Sequence, residues 1–174
     1  YFIFSSLLPS NPQTQNDKNP VTTTTSAKKT GVITFSGPKT EVCPINGEMF
    51  TKEEKDIWST RRPMAVMIEN HADTRPQSGL QNADIVYEAV AEGGITRFMG
   101  VYYCGATLGN INLAPVRSTR TYFVDWVSEY DALYNHVGGA GRCNDDTVAE
   151  KAKALCQIVE NGIKDLDQFG IGFP

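Results

Sequence analysis

The strongest constraint on the fold is a series of short apolar, strand-like runs that each lie beside arginine, glycine or carboxylate residues. Binding residues are often carried in this way by loops that a rigid scaffold positions. None of the clusters is a standard catalytic signature, so the pattern predicts a site more clearly than a reaction. The clusters are RPMAVMIENH (62–71), RPQSGLQNADIVYE (75–88), EGGITRF (92–98), APVRSTR (114–120) and HVGGAG (136–141).

The apolar runs predict a mixed sheet that contains one β-hairpin. The glycine pair Gly93-Gly94 separates two of the runs by the two residues that a tight hairpin needs. In that register Arg97 lies diagonally between Glu88 and Glu92, as in a cross-strand ion pair on an exposed face. A helix over residues 82–92 is the alternative. The predicted strands are Met64–Ile68, Asp84–Ala91, Ile95–Cys104, Leu113–Val116 and Leu133–Val137.

Helix signals fall before and between these strands. Two capping boxes, Thr51 with Glu54 and Thr147 with Glu150, mark helix starts. Apolar residues at helical spacing predict a core-facing helix between the fourth and fifth strands. Strands that alternate with helices predict an α/β domain with a mixed sheet, a central β-hairpin and helices on both faces. The later two predicted helices are Thr119–Tyr130 and Val148–Asn161, the second ended by Gly162.

Composition narrows the class of protein. The 174 residues are 40% hydrophobic and 21% charged, as expected for a globular domain with an appendage. The net charge of −4 lacks the basic stripe of a general nucleic-acid surface, so we expect no nucleic-acid partner. Serine-hydrolase, Walker, dinucleotide and HExxH motifs are missing from the sequence.

The two ends of the chain differ in composition from its middle. Residues 1–9 (YFIFSSLLP) predict the end of a membrane anchor or signal segment, with an ordinary N-terminus as the alternative. Residues 10–42 are rich in Thr, Ser and Pro and predict a disordered tether. Residues 43–174 form the predicted folded domain. Its last stretch, DLDQFGIGFP, is apolar and predicts a fold truncated at the C-terminus.

The four cysteines occur without a CxxC pair, which disfavours a zinc site. Outside the cytoplasm they would form disulfides. Three pairings are possible, and Cys43 with Cys104 is favoured because it would tie the start of the domain to the end of a strand. Cys143 and Cys156 are the other two cysteines. Four free or buried thiols are the alternative.

The APVRSTR cluster predicts an anion-binding turn. Arg117, Ser118 and Arg120 lie between a predicted strand end and a predicted helix start, where ligands bind in α/β folds. Helix N–H groups and two guanidinium groups would favour phosphate or pyrophosphate. The alternative is that Ser118 or Thr119 only caps the helix and that the arginines pair with acidic neighbours such as Asp125.

Other clusters predict further parts of this site. HVGGAG follows a strand in the same sense, so that His136, Gly138 and Gly139 would approach the same crevice. A hydrogen-bonded structural role is the alternative for His136. Asp84 opens a strand and could hold a divalent cation such as Mg²⁺ or orient Arg75, which is a further candidate ligand-binding residue.

These clusters together resemble the YerB-like family of predicted bacterial lipoproteins, a domain family of unknown function. The resemblance runs from residue 43 to the end, and Ala114 departs from the glycine that usually precedes PVRS in the family. It implies a membrane-attached protein on the extracytoplasmic face of the bacterial cell envelope, and it implies no established reaction. The stretches that carry it are Cys43–Glu54, Arg61–Cys104, Ala114–Trp126, His136–Gly141 and Asp165–Pro174.

The order of elements is also similar, more loosely, to that of the LytR–CpsA–Psr phosphotransferases. That likeness implies arginines on a polyprenyl pyrophosphate, for which Arg117, Arg120 and Arg75 are the counterparts here, and a divalent cation near Asp84. The local sequence motifs do not match, so the likeness is one of architecture.

Three functions therefore compete. The first is an envelope module, anchored through its N-terminal segment, that binds an anionic, phosphate-containing ligand or a protein partner. The second is a metal-dependent phosphotransferase acting on polyprenyl-pyrophosphate-linked glycans. The third is a structural scaffold whose arginines are engaged internally.

Overall fold

The structure, a computed structural model, describes residues 35–171. The predicted anchor (1–9), most of the predicted tether and the last three residues lie outside this range. The strands are β1 (Glu41–Val42), β2 (Met49–Phe50), β3 (Met64–Glu69), β4 (Ile85–Val90), β5 (Thr96–Tyr102), β6 (Leu133–His136) and β7 (Lys164–Asp167). The helices are α1 (Lys52–Trp58), α2 (Thr121–Ser128), α3 (Ala154–Glu160) and α4 (Gln168–Ile171).

Five strands form one mixed sheet in the order β4-β5-β3-β6-β7, and β1 and β2 form a small antiparallel pair. The hairpin β4–β5 and its neighbour β3 are antiparallel, whereas β3, β6 and β7 are parallel. The predicted α/β class and mixed sheet are confirmed. The hairpin lies at one edge of the sheet and not at its centre, which β3 occupies between β5 and β6.

The hairpin turn contains one more residue than predicted. Val90 pairs with Thr96, and the Ala91 amide donates to the Ile95 carbonyl at 2.8 Å, so a three-residue turn, Glu92–Gly94, closes the hairpin. Both of its glycines adopt positive φ. Because side chains alternate along a strand, this extra residue changes every cross-strand partner. The predicted register was therefore wrong by one residue.

Helices α2 and α3 cover one face of the sheet. Phe123, Val124 and Val127 of α2 are buried against a core that includes Met67 and Tyr134, which confirms the core role predicted for the apolar face of α2. The other face carries a second apolar cluster, to which the connecting segments between residues 80 and 116 contribute. In the described residues that cluster contains no α-helix, so helices on both faces are not observed there.

Of the two predicted capping boxes, one forms and the other does not. Thr51 caps α1 in a complete capping box with Glu54, as predicted. The second box does not form, because the Thr147 hydroxyl donates to Asp145 at 2.6 Å instead. Helix α3 consequently begins at Ala154, after a 3₁₀ turn. Gly162, with a φ of 62°, ends this helix as predicted.

All four cysteines are in disulfide bonds. Cys43 is bonded to Cys104, the favoured pairing, and Cys143 to Cys156. The first bond links the segment before β2 to the end of β5, across 61 residues of sequence. It packs with Phe50 in a small apolar cluster beside the sheet.

Within residues 35–171, none of the helices has both the length and the apolar character that a membrane crossing requires.

Candidate functional site

The candidate site lies where the parallel strands β3 and β6 separate at their carboxyl ends. The two strands pair only through residues 64–66 and 133–135. Beyond that point the APVRSTR segment enters between them. The Arg117 amide donates to the Met67 carbonyl at 3.0 Å, and the Arg117 carbonyl accepts from the Val137 amide at 3.2 Å. Crevices at the carboxyl ends of diverging strands are the usual ligand sites of α/β sheets.

Arg97 is the buried centre of this region. It pairs in register with Glu69 of β3 and is only 4% exposed. Its guanidinium donates to the Ser118 carbonyl at 2.9 Å and to Glu92 Oε2 at 2.6 Å. Burial lowers the pKa of Arg97, and the nearby charge of Arg120 acts in the same direction. Arg97 therefore ties the inserted segment to the hairpin turn.

Glu92, in that turn, binds two arginines. Its second carboxylate oxygen accepts from Arg120 Nε, which lies at the start of α2. Partial burial would raise the pKa of Glu92, but the Arg120 hydrogen bond and the charges of Arg120 and Arg97 outweigh it, so that the pKa is lowered. The ion pair between Glu92 and Arg120 therefore holds the hairpin turn against the start of α2.

Arg117 is the most accessible of the three arginines. Its Nε lies 2.6 Å from Glu69 Oε2, and its side chain is 53% exposed, against 11% for Glu69. The other oxygen of Glu69 accepts from the amides of Asn70 at 3.0 Å and His71 at 3.2 Å. Glu69 is therefore fixed by the backbone, and it orients one edge of the Arg117 guanidinium while the Nη groups remain to bind a ligand.

Three adjoining cavities form a groove over this cluster, which we call the carboxyl-end groove. Their volumes are about 460, 170 and 430 Å³. His71 lines all three, Arg75 lines the first, and Arg117 lines the other two. Arg75 is held by Asn70, whose side-chain and backbone oxygens accept its hydrogen bonds at 3.0 and 3.1 Å. Guanidinium groups thus lie toward both ends of the groove, with an imidazole between them.

The HVGGAG segment lies behind the site and does not line the groove cavities. His136 is fully buried, with Nε2 2.8 Å from Asp165 and Nδ1 2.8 Å from the Gly138 carbonyl. A Cβ on Gly139 would lie 2.7 Å from the Thr119 side chain. The predicted close approach of these glycines is therefore an approach of the chain to itself, which packs the loop against the arginine-bearing segment.

Asp84 lies at the other end of the hairpin from the arginines. It accepts from the amides of Tyr103 at 2.5 Å and Gly105 at 3.0 Å and from the Asn46 side chain at 3.2 Å. Among the described residues, both groupings of potential metal ligands, one of which includes Asp84, contain disulfide-bonded cysteines. A disulfide sulfur is not the thiolate that binds metal, so the donor set around Asp84 does not fit a Mg²⁺ site joined to the arginines.

The structure brings the predicted ligand-binding residues Arg75, Arg117, Ser118 and Arg120 to one region. Glu69 and His71, at the end of the central strand, were not predicted to line the groove. Their position beyond the end of the most apolar strand was the available signal. Arg97 was expected on an exposed face, but it is buried beside Glu69 of β3 and under the segment that carries Ser118.

Comparisons with known proteins agree with this fold. Residues 47–167 match the family model described as "Protein of unknown function (DUF3048) N-terminal domain". The chain is 49% identical over 97 residues to the Bacillus subtilis (strain 168) protein named "Putative lipoprotein YerB", covering 55% of this chain and 27% of that protein. It is also similar to the crystal structure of the YerB protein from Bacillus subtilis, with a TM-score of 0.59 and 31% identity over 76% of this chain and 40% of that one. The chain thus spans well under half of these relatives, and over the part that they share it belongs to the YerB-like, DUF3048 family.

Proposed function

We propose that this domain is a non-catalytic binding module of the bacterial cell envelope and that it takes a phosphate-containing anion in the carboxyl-end groove. The observation that carries the proposal is that Arg117 is both exposed and held in one orientation. Its guanidinium is half exposed and lines two cavities, yet Glu69 holds it in one orientation. A pre-oriented guanidinium binds phosphate oxygens without first losing side-chain freedom.

Available guanidinium N–H groups, and not a net positive charge, support an anion, because Asp73 and Glu88 also line the groove and balance its charge. Three arginines in the inner cluster share two glutamates, and Arg75 adds a further positive charge whose partner is a neutral amide, Asn70. A ligand phosphate can bind the remaining guanidinium N–H groups without displacing either glutamate. A protein partner with an acidic or phosphorylated segment would use the same donors and is the second source of such an anion.

Localisation on the extracytoplasmic face of the membrane is part of the proposal. A relative that is named as a lipoprotein and the composition of the N-terminal segments support it. Two disulfides in a chain of four cysteines also support it, because disulfides persist in oxidising compartments.

The test is thermal unfolding of the oxidised 174-residue chain with inorganic pyrophosphate, with and without Mg²⁺. At about 100 times the dissociation constant, the ligand should add roughly 2.7 kcal/mol to the free energy of unfolding. Arg117→Ala should abolish this gain. Lys52→Ala, which removes an exposed positive charge from α1, should keep it.

Each outcome separates the competing functions. Stabilisation that requires Mg²⁺ would favour the phosphotransferase and a turnover assay on a lipid pyrophosphate. No stabilisation of the unmodified chain, or the same stabilisation in Arg117→Ala, would contradict the binding module and leave the arginines with a structural role.

A further inference from the structure

A second cavity opens at the amino end of β3, away from the carboxyl-end groove. Its volume is about 510 Å³, and we call it the amino-end cavity. Three separate segments form its walls: the residues that lead into β3, the end of β5 with the turn after it, and residues 109–113. Ligand sites usually have volumes of about 300–1,000 Å³ and apolar walls with a few polar groups. The volume of this cavity lies within that range.

The walls of this cavity are fixed from two sides. On one side, Gly79 adopts a φ of 78°, and a Cβ there would lie 2.4 Å from the Asn112 carbonyl oxygen. The strand-like pairing of Ser78 with Ala114 holds the same segment. On the other side, the disulfide of Cys104 follows the two tyrosines that line the cavity. Both walls are therefore held in place, so the cavity is preformed.

The lining combines an apolar floor with a positively charged rim. Met64, Tyr102 and Leu113 line it, and each of them also belongs to the apolar cluster on this face of the sheet. Arg61 and Arg62 lie at the rim and are exposed.

The two rim arginines differ in their partners. Arg62 is paired with Asp131. Among residues 35–171, the Arg61 side chain has neither a carboxylate partner nor a hydrogen bond. An unpaired guanidinium beside an open apolar cavity fits a ligand that has an apolar part and an acidic group.

We propose that the amino-end cavity binds a small amphipathic anion. Its apolar part packs on Tyr102 and Leu113, and its carboxylate, sulfonate or phosphate group pairs with Arg61. The site is independent of the carboxyl-end groove, since no residue lines both. Neutral apolar molecules lack the acidic group, and inorganic phosphate lacks the apolar part, so both should bind weakly.

Displacement of a fluorescent probe tests this proposal on the oxidised 174-residue chain. 8-Anilinonaphthalene-1-sulfonate combines an aromatic body with a sulfonate, and we expect saturable fluorescence enhancement under native conditions. Decanoate should displace it, whereas decanol should need at least about tenfold higher concentration. Arg61→Ala should weaken decanoate binding about tenfold, and Arg61→Lys should restore most of it. Leu113→Asn should weaken the binding of both the fluorescent probe and decanoate.

Matched controls make the result specific to the cavity. Arg142→Ala removes an exposed arginine beyond the carboxyl end of β6 and should change nothing. A cooperative thermal transition in each variant shows that the probe reports the native state and not a partly unfolded one. The proposal is overturned by the absence of native-state enhancement, by equal displacement with decanol, or by unchanged decanoate binding in Arg61→Ala.

Discussion

Strand β3 has arginines near both of its ends, and the arginines at the two ends differ in whether carboxylates pair with them. At the carboxyl end three arginines share Glu69 and Glu92, and one of the three is almost fully buried. At the amino end Arg62 has Asp131 as its partner, whereas Arg61 faces solvent beside an apolar cavity. The carboxyl end therefore positions its cations by ion pairs, and the amino end leaves one cation unpaired.

Different interactions also stabilise the structure around each end of β3. A disulfide and the apolar cluster around it fix the amino end. The carboxyl end depends on Arg97 and on the hydrogen bonds of the inserted segment. Covalent links tolerate changes of pH and salt, whereas ion pairs do not. Ligand binding at the carboxyl end should therefore depend more strongly on pH and salt than ligand binding at the amino end.

The largest expected effect is on the amino end. Replacing Cys43 and Cys104 together with alanine should lower the free energy of unfolding by about 4 kcal/mol, because the unfolded chain regains the freedom of a long loop. Replacing Cys143 and Cys156 in the same way should lower it by about 3 kcal/mol, because that loop is shorter. Urea unfolding of both double variants measures which of the two loses more free energy of unfolding. The reverse order would show that loop length does not govern how the amino end is stabilised.

A smaller effect is expected at the carboxyl end. Arg97→Met keeps an unbranched side chain but leaves the Ser118 carbonyl without its donor and Glu92 with one arginine fewer. We expect a loss of about 2 kcal/mol in the free energy of unfolding. Lys52→Ala, on an exposed helix face, should change it by less than about 0.5 kcal/mol. A loss in Arg97→Met no larger than in this control would mean that the buried arginine does not hold the site.

The smallest effect concerns pH. The folded-state pKa of Glu92 is lowered below its ordinary value of 4.5, so its ion pairs stabilise the protein above that value. This contribution is lost as the pH falls through the lowered folded-state pKa. Glu92→Gln should therefore be less stable than the unmodified protein at pH 6, by less than about 1 kcal/mol because the side chain is largely exposed.

The pH dependence of the unmodified protein and of Glu92→Gln tests whether the ion pairs cause this difference in stability. Their free energies of unfolding in urea should converge at acidic pH, where Glu92 is protonated. A difference that stays constant between pH 6 and pH 3 would rule out the ion pairs as its cause.

Much of the fold followed from local signals. The apolar run that became β3, the capping box at Thr51 and the helix end at Gly162 all depend on residues that are neighbours in sequence. The hairpin register was wrong because a glycine pair is compatible with turns of two or three residues. In the observed three-residue turn Glu92 pairs with Arg120, which is distant in sequence, so the local pattern does not contain this contact.

The site was harder to predict than the fold for a related reason. Arg117 and Arg120 were identifiable because they follow a strand and precede a helix. Glu69 and Glu92, which bind them, lie much earlier in the sequence, in a different strand and a different turn, and come beside the arginines only in the folded protein. Asp84 opens its strand as predicted but lies at the far end of the hairpin, because an antiparallel pair places the start of one strand beside the end of the next.

The most direct test is an amide chemical-shift titration of the ¹⁵N-labelled, oxidised chain with inorganic pyrophosphate. We expect saturable shifts concentrated at Glu69–His71 and residues 117–119, which line or support the carboxyl-end groove, and we expect Arg117→Ala to lose them. Lys52→Ala should give the same shifts as the unmodified chain. Shifts confined to the residues around Arg61 and Tyr103, or no saturable shifts at all, would contradict the assignment of anion binding to the carboxyl end of β3.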